Sequence, residues 1–107
     1  MTDFYFTDGL FFVITTESNK LNAYRLSDKL LKKRLIACVN FHNIESHFWW
    51  EEEINKTKEV QLLMKCKKQN LNKLHQSILQ YHSYEIPEIV YFPVSSNNLY
   101  YKWVSSI

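Results

Sequence analysis

The strongest candidate for coordination chemistry in this sequence is the pair His82 and Glu85. A neutral imidazole is the commonest transition-metal ligand and binds Cu²⁺ well. Glu85 follows three residues later and adds a carboxylate oxygen. The intervening Ser83-Tyr84 lies just ahead of Pro87, which disfavours regular helix there, so the two side chains can converge. The competing reading makes His82 the end of a helix, its ring packed and its cation favoured by the helix dipole.

The other reactive side chains carry weaker signals. Cys38 lies inside an apolar run and reads as a buried small hydrophobe. Cys66 is flanked by Lys65, Lys67 and Lys68, but its own face is apolar, which argues against an exposed thiol. His42 and His47 are five apart, so on a regular strand they project to opposite faces and form no site within one chain. Glu51-Glu52-Glu53 could gather cations at a trimer axis or rim, but such a run reads first as solvated hairpin. The lysine run 65–68 lacks the interleaved exposed aromatics of a nucleic-acid platform, so no nucleic acid is expected. No nucleophile elbow, H-E-x-x-H or Cys-His signature is present, which points away from an enzyme. With Gly9 the only glycine, neither a P-loop nor a G-x-G-x-x-G turn can be written.

These residues need a scaffold, and 107 residues with 46% hydrophobic and 22% charged side chains suit one globular domain. The net charge of +2 is too small to imply a polyanionic partner. Met1 to Thr7 carries Asp3 and no basic stretch, so it does not read as a secretory leader, and no apolar run is long enough for a bilayer. The expected compartment is the cytoplasm, with both cysteines reduced.

Leu10 to Thr16 is a short apolar, β-branched run that predicts a buried strand. Ser18 or Asn19 can cap a helix running to Lys33, with Ala23, Leu26 and Leu30 on one stripe. Leu35 to Phe41 predicts the second strand, continued with period two through Ile44, Phe48 and Trp50. The polar stretch Asn55 to Lys58 reads as a hairpin tip, and Glu59 to Cys66 returns with Val60, Leu62, Met64 and Cys66 on one face. Leu71, Leu74, Ile78 and Leu79 mark a second helix, with His75 and His82 on its stripe. Ile86 to Val94 predicts strand four and Ser95 to Asn98 a loop. Leu99 to Val104 predicts a short last helix burying Tyr100, Trp103 and Val104.

The order is βαββαβ plus a C-terminal helix, an α+β chain on the ferredoxin-like plan. Right-handed crossovers place both long helices on one sheet face, and the other face is not polar enough to stand bare. Residues 35–50 would extend about 50 Å at roughly 3.3 Å per residue. The helix beneath them covers only about 24 Å at 1.5 Å per residue. The hairpin must bend or overhang, and it carries Phe48, Trp49 and Trp50 with it. An aromatic overhang of this kind marks a partner surface, and self-association is the simplest partner.

Several of these segments together resemble the CutA divalent-cation tolerance family. Arg34-Leu-Ile-Ala-Cys-Val-Asn40 is similar to its R-L-A-A-C-V-N strand, and Phe48-Trp-Trp-Glu51 to its Y-x-W-E segment. Glu59-Val-Gln-Leu-Leu-Met-Lys65 matches E-V-x-L-x-x-K, and His82-Ser-Tyr-Glu-Ile-Pro-Glu-Ile89 matches H-P-Y-E-x-P-E-I. Phe92-Pro93-Val94 and Tyr100-Tyr-Lys-Trp103 stand where the family writes L-P-V and Y-x-x-W. The resemblance runs in order from about Phe12 to Ser105. It implies a non-enzymatic homotrimer whose hairpins join sheets between subunits through Phe48, Trp49 and Trp50. It also implies a role in tolerance of divalent metal ions, copper foremost. A first-strand cysteine that the resemblance would offer to copper is Ile14 here, which has no donor atom. The turn after Val39-Asn40 is one residue short, and Ser83 replaces a proline. The alternative reading is a small-molecule or protein-binding regulator on the trimeric plan of PII signalling proteins.

Overall fold

Glu17 ends a strand that is longer than its apolar run suggests. In the computed structural model, which describes residues 6–107, β1 spans Phe6–Glu17. Gly9 makes this possible. It sits at φ +111° beside a register shift between Thr7 and Leu10. That backbone conformation is what favours glycine; a Cβ there would stand 3.4 Å from the Tyr101 ring, an ordinary contact.

α1 (Lys20–Lys32) is capped by Asn19, whose side chain accepts the Asn22 N–H at 2.8 Å. It ends in a paired reversal: Leu35 N–H donates to the Leu30 carbonyl and Arg34 N–H to that of Leu31. Arg34 takes the left-handed conformation, φ +57°, that glycine usually supplies at this point. The reversal occupies Leu35 and Ile36, so β2 begins at Cys38 and runs to Trp50. β3 spans Glu53–Lys67, a short 3₁₀ turn covers Lys68–Asn70, and α2 runs Leu71–Tyr81. β4 (Val90–Asn97) and α3 (Asn98–Ser105) complete the chain.

The four strands form one antiparallel sheet in the order β2-β3-β1-β4. With two helical crossovers on one face, this is the ferredoxin-like arrangement expected, and the extra C-terminal helix is present. The main core lies between sheet and helices. Val13 of β1 and Val60, Leu62, Met64 and Cys66 of β3 meet Ala23, Leu26 and Leu30 of α1 and Leu74 and Ile78 of α2. α3 packs on the opposite face, where Leu10 and Val104 are buried.

Further boundaries differ from expectation, and Ser95 to Asn98 is not a loop but the end of β4 and the start of α3. The hairpin tip is Glu51-Glu52, not Asn55 to Lys58, which pair with Phe48 to Glu45 inside the ladder. Both faces of that stretch are open, so it carries none of the apolar alternation that marks a strand. β4 starts at Val90 and continues to Asn97 because its partner β1 reaches back to Phe6. Residues 82–89 are a loop, and Ile86 is 71% exposed. In α3 only Val104 is buried; Trp103 is 47% exposed and Tyr100 half-buried, because a two-turn helix on a sheet hides one narrow stripe. Leu79 likewise faces out of α2.

β1 pairs with β3 only from Val60 onward, so the hairpin beyond that point projects past the sheet. The chain is accordingly elongated, 53 × 25 × 21 Å. Phe48, Trp49 and Trp50 lie on the projection and are all exposed in the single chain, Trp49 most of all. Among the described residues no helix is long and apolar enough to cross a membrane.

Candidate functional site

His82 stands where α2 gives way to the loop, its own N–H closing the helix on the Ile78 carbonyl at 2.9 Å. Its ring is turned inward and buried. Nε2–H donates to the Thr16 carbonyl at 2.7 Å, and Nδ1 accepts the Tyr84 backbone N–H at 2.9 Å. Both nitrogens are therefore committed to the protein. A metal at His82 would have to displace the Tyr84 amide from Nδ1, the one ring nitrogen that carries a lone pair in this arrangement.

Glu85 is exposed. The structure thus keeps His82 and Glu85 on one short loop but buries the first and leaves the second in solvent. Among the described residues no group of three or more His, Cys, Asp or Glu is arranged to hold a metal ion. His42 and His47 are both exposed, and His47 Nε2 lies 2.8 Å from Glu45 Oε1 on its own strand.

The carboxylate that organises this region is Glu17, which nothing in the sequence pattern distinguished. It ends β1 on the helix face, 1% exposed. It accepts the Ser83 N–H at 3.0 Å and the Ser83 hydroxyl, and Ser18 N–H reaches it at 3.3 Å. Its Oε2 lies 3.5 Å from His82 Nδ1. These bonds stitch the end of β1 to the loop after α2. Alternation through Val13 and Thr15 into Glu17 was the only available signal, an acidic residue in register with the core positions.

A second contact anchors the loop to the hairpin. The Tyr84 hydroxyl donates to Glu59 Oε2 at 2.6 Å. Burial, reinforced by that bond to a carboxylate, holds the phenol well above its ordinary pKa, so it stays a donor. Between loop and projecting hairpin runs an open groove of about 870 Å³. Ile44, Phe48, Trp50 and Ile86 give it apolar walls, and Glu59, Gln61, Glu85 and Glu88 supply polar groups.

The thiols divide as their strand positions require. Cys66 is in the core, where burial pushes it up to about 11. Cys38 is half-buried on the other sheet face, with Lys65 Nζ 3.8 Å from its sulfur. That lysine also donates to the Asn40 side-chain oxygen.

The strand order, the one-sided helix layer and the anchored loop define a ferredoxin-like protein with an elongated hairpin and a groove at its base. Residues 11–106 match the model of the family described as CutA1 divalent ion tolerance protein. The chain belongs to that family. It is 34% identical over 93 residues to the divalent-cation tolerance protein CutA of Pyrococcus horikoshii, covering 86% of this chain and 91% of that one. It is 32% identical over 96 residues to the chloroplastic CutA 1 of Oryza sativa, covering 88% of this chain but only 54% of that protein. Among solved structures, CutA from Synechococcus elongatus superposes with a TM-score of 0.89 at 29% identity, over 94% of this chain and 90% of that one. CutA1 of Ehrlichia chaffeensis gives 0.86 at 31%, over 92% and 94%. One further solved relative, from Archaeoglobus fulgidus, is described as a periplasmic divalent cation tolerance protein.

Proposed function

We propose that this chain acts as a homotrimer in tolerance of divalent metal ions, without catalysis, and that Cu²⁺ is the ion it meets first. The observation that carries the assembly is the projecting hairpin, whose Phe48, Trp49 and Trp50 are 41%, 71% and 50% exposed in the single chain. Soluble proteins rarely leave three large aromatics, here spread over both faces of one hairpin, wet. The metal half of the reading rests on family membership and on the loop 82–85. There His82 Nδ1 would exchange the Tyr84 amide for the ion and Glu85 would supply oxygen. Ile14 adds nothing from the first strand.

Light scattering at micromolar concentration tests the first half and should return three times the chain mass; a monomer refutes it. Calorimetric titration with Cu²⁺ tests the second. Wild type should bind, and both His82→Ala and Glu85→Gln should bind at least tenfold more weakly. Glu85 is exposed, so its neutral variant keeps the fold and isolates the ligand effect. Equal binding in all three moves the site off this loop. No binding by wild type leaves the regulator reading, which the groove of about 870 Å³ favours on its own account. Titration with anionic metabolites then becomes the deciding measurement.

A further inference from the structure

The sheet face away from α1 and α2, covered only in part by α3, carries two buried charges of opposite sign, and among the described residues neither has a counter-charge. Glu59 is 9% exposed and receives the Tyr84 hydroxyl. Lys65 is also 9% exposed; its ammonium meets the Asn40 amide oxygen and the Cys38 sulfur, with the Phe12 ring centroid 5.7 Å away. Among the described residues neither takes part in an ion pair. A nearly buried charge without an opposite charge is costly, because a few neutral partners replace only part of the water it gave up.

Register places both on one face. Glu59 pairs with Ile44 and Lys65 with Cys38 and Phe12, all on the side away from the helix-covered core. They lie six positions apart along β3, about 20 Å at roughly 3.4 Å per residue, so they cannot meet within one chain. The surface around them mixes polar and apolar groups and is open in part: Gln61, Leu63 and Ile14 are half-buried, and Phe92 and Val90 are exposed on β4. It is continuous with Phe48 and Trp50, which share the parity of Ile44 along β2. A second copy of the chain therefore fits this face in both hydrophobicity and charge.

We propose that Glu59 of one copy pairs with Lys65 of the next across the open sheet faces. The inference rests on the assembly proposed above and names a contact within it. In a closed ring each chain gives one carboxylate to a neighbour and receives another on its ammonium, so both of these charges are matched. Tyr84, by donating to Glu59, fixes the carboxylate that the neighbour's lysine must find.

Charge reversal tests the pairing. Glu59→Lys, Lys65→Glu and the double reversal are compared with wild type by sedimentation over a dilution series, with circular dichroism reporting the fold. Each single reversal places like charges together and should raise the dissociation constant at least tenfold. The double reversal restores an opposite pair and should assemble at least tenfold better than the product of the two single effects. A double variant no better than that product, in a wild type that assembles, overturns the pairing and leaves the assembly standing. A wild type that stays monomeric overturns both. If a reversed chain does not fold, the neutral cycle Glu59→Gln, Lys65→Met replaces it, with the same tenfold coupling required. Carbodiimide treatment of wild type supplies a check without mutation. An isopeptide joining Glu59 to Lys65 between chains is expected, and its absence from trimers cross-linked at other residues counts against the contact.

Discussion

Replacing Glu51-Glu52 by Asn-Gly should stabilise the protein without touching its core. The hairpin closes with Trp50 opposite Glu53, leaving a two-residue turn in which Glu51 and Glu52 lie at φ +51° and +65°. Both residues are left-handed, the geometry that matches the twist of the flanking strands and for which Asn-Gly is preferred. An ordinary side chain in that region costs about 1–2 kcal/mol, so the native pair carries at least about 2 kcal/mol of local strain. Asn tolerates the first position and Gly is unstrained in the second. Gly, however, gives back up to about 1 kcal/mol through the entropy of the unfolded chain. The net gain is about 1 kcal/mol, which for a domain of this size raises the midpoint by roughly 4–8 °C. Thermal and urea melts at fixed protein concentration measure it. Glu52→Gly alone should recover most of the gain and Glu52→Ala none of it, because alanine meets the same steric conflict. A neutral or destabilising Asn-Gly variant refutes the strain argument and shows that the two carboxylates hold contacts outside the single chain.

Other expectations follow from the same geometry. Trp50→Ala should raise the dissociation constant of the assembly at least tenfold, whereas Trp103→Ala, on the short α3, should leave it unchanged; light scattering on dilution separates them. Cys66 should resist thiol reagents at pH 8 in the native protein and react on unfolding. Its folded pKa, raised by burial from 9.0 to about 11, also makes a stability contribution that is complete below pH 9 and lost as pH climbs to about 11. Cys66→Ala should flatten the alkaline fall in urea midpoint across that window. Glu17→Ala should cost about 2–3 kcal/mol, because it strips acceptors from the Ser83 N–H and hydroxyl at the β1–loop junction. Chemical denaturation gives the number, and faster amide exchange at Ser83 and Tyr84 should accompany it.

Periodicity and family-like segments made the element order, the helix stripes and the ferredoxin-like plan legible, because burial of one face imposes a pattern on the residues themselves. Val60, Leu62, Met64 and Cys66 could be placed in the core for that reason, and the overhang followed from strand and helix rise alone. Where both faces are open the pattern vanishes, so Asn55 to Lys58 read as a tip when they are strand. The left-handed Glu51-Glu52 turn gave no warning because glutamate is not a turn signal. The site was less legible still. His82 could be singled out by type, but only the folded chain turns its ring toward the Thr16 carbonyl and the Tyr84 amide, residues 66 and two positions away. Glu17, Glu59 and Lys65 are ordinary charged residues in sequence. Their burial, and the absence among the described residues of an opposite charge beside the last two, depend on which strands pair and in what register. Local chemistry and periodicity are properties of the chain; desolvation is a property of the packed molecule, and it is desolvation that makes these charges matter.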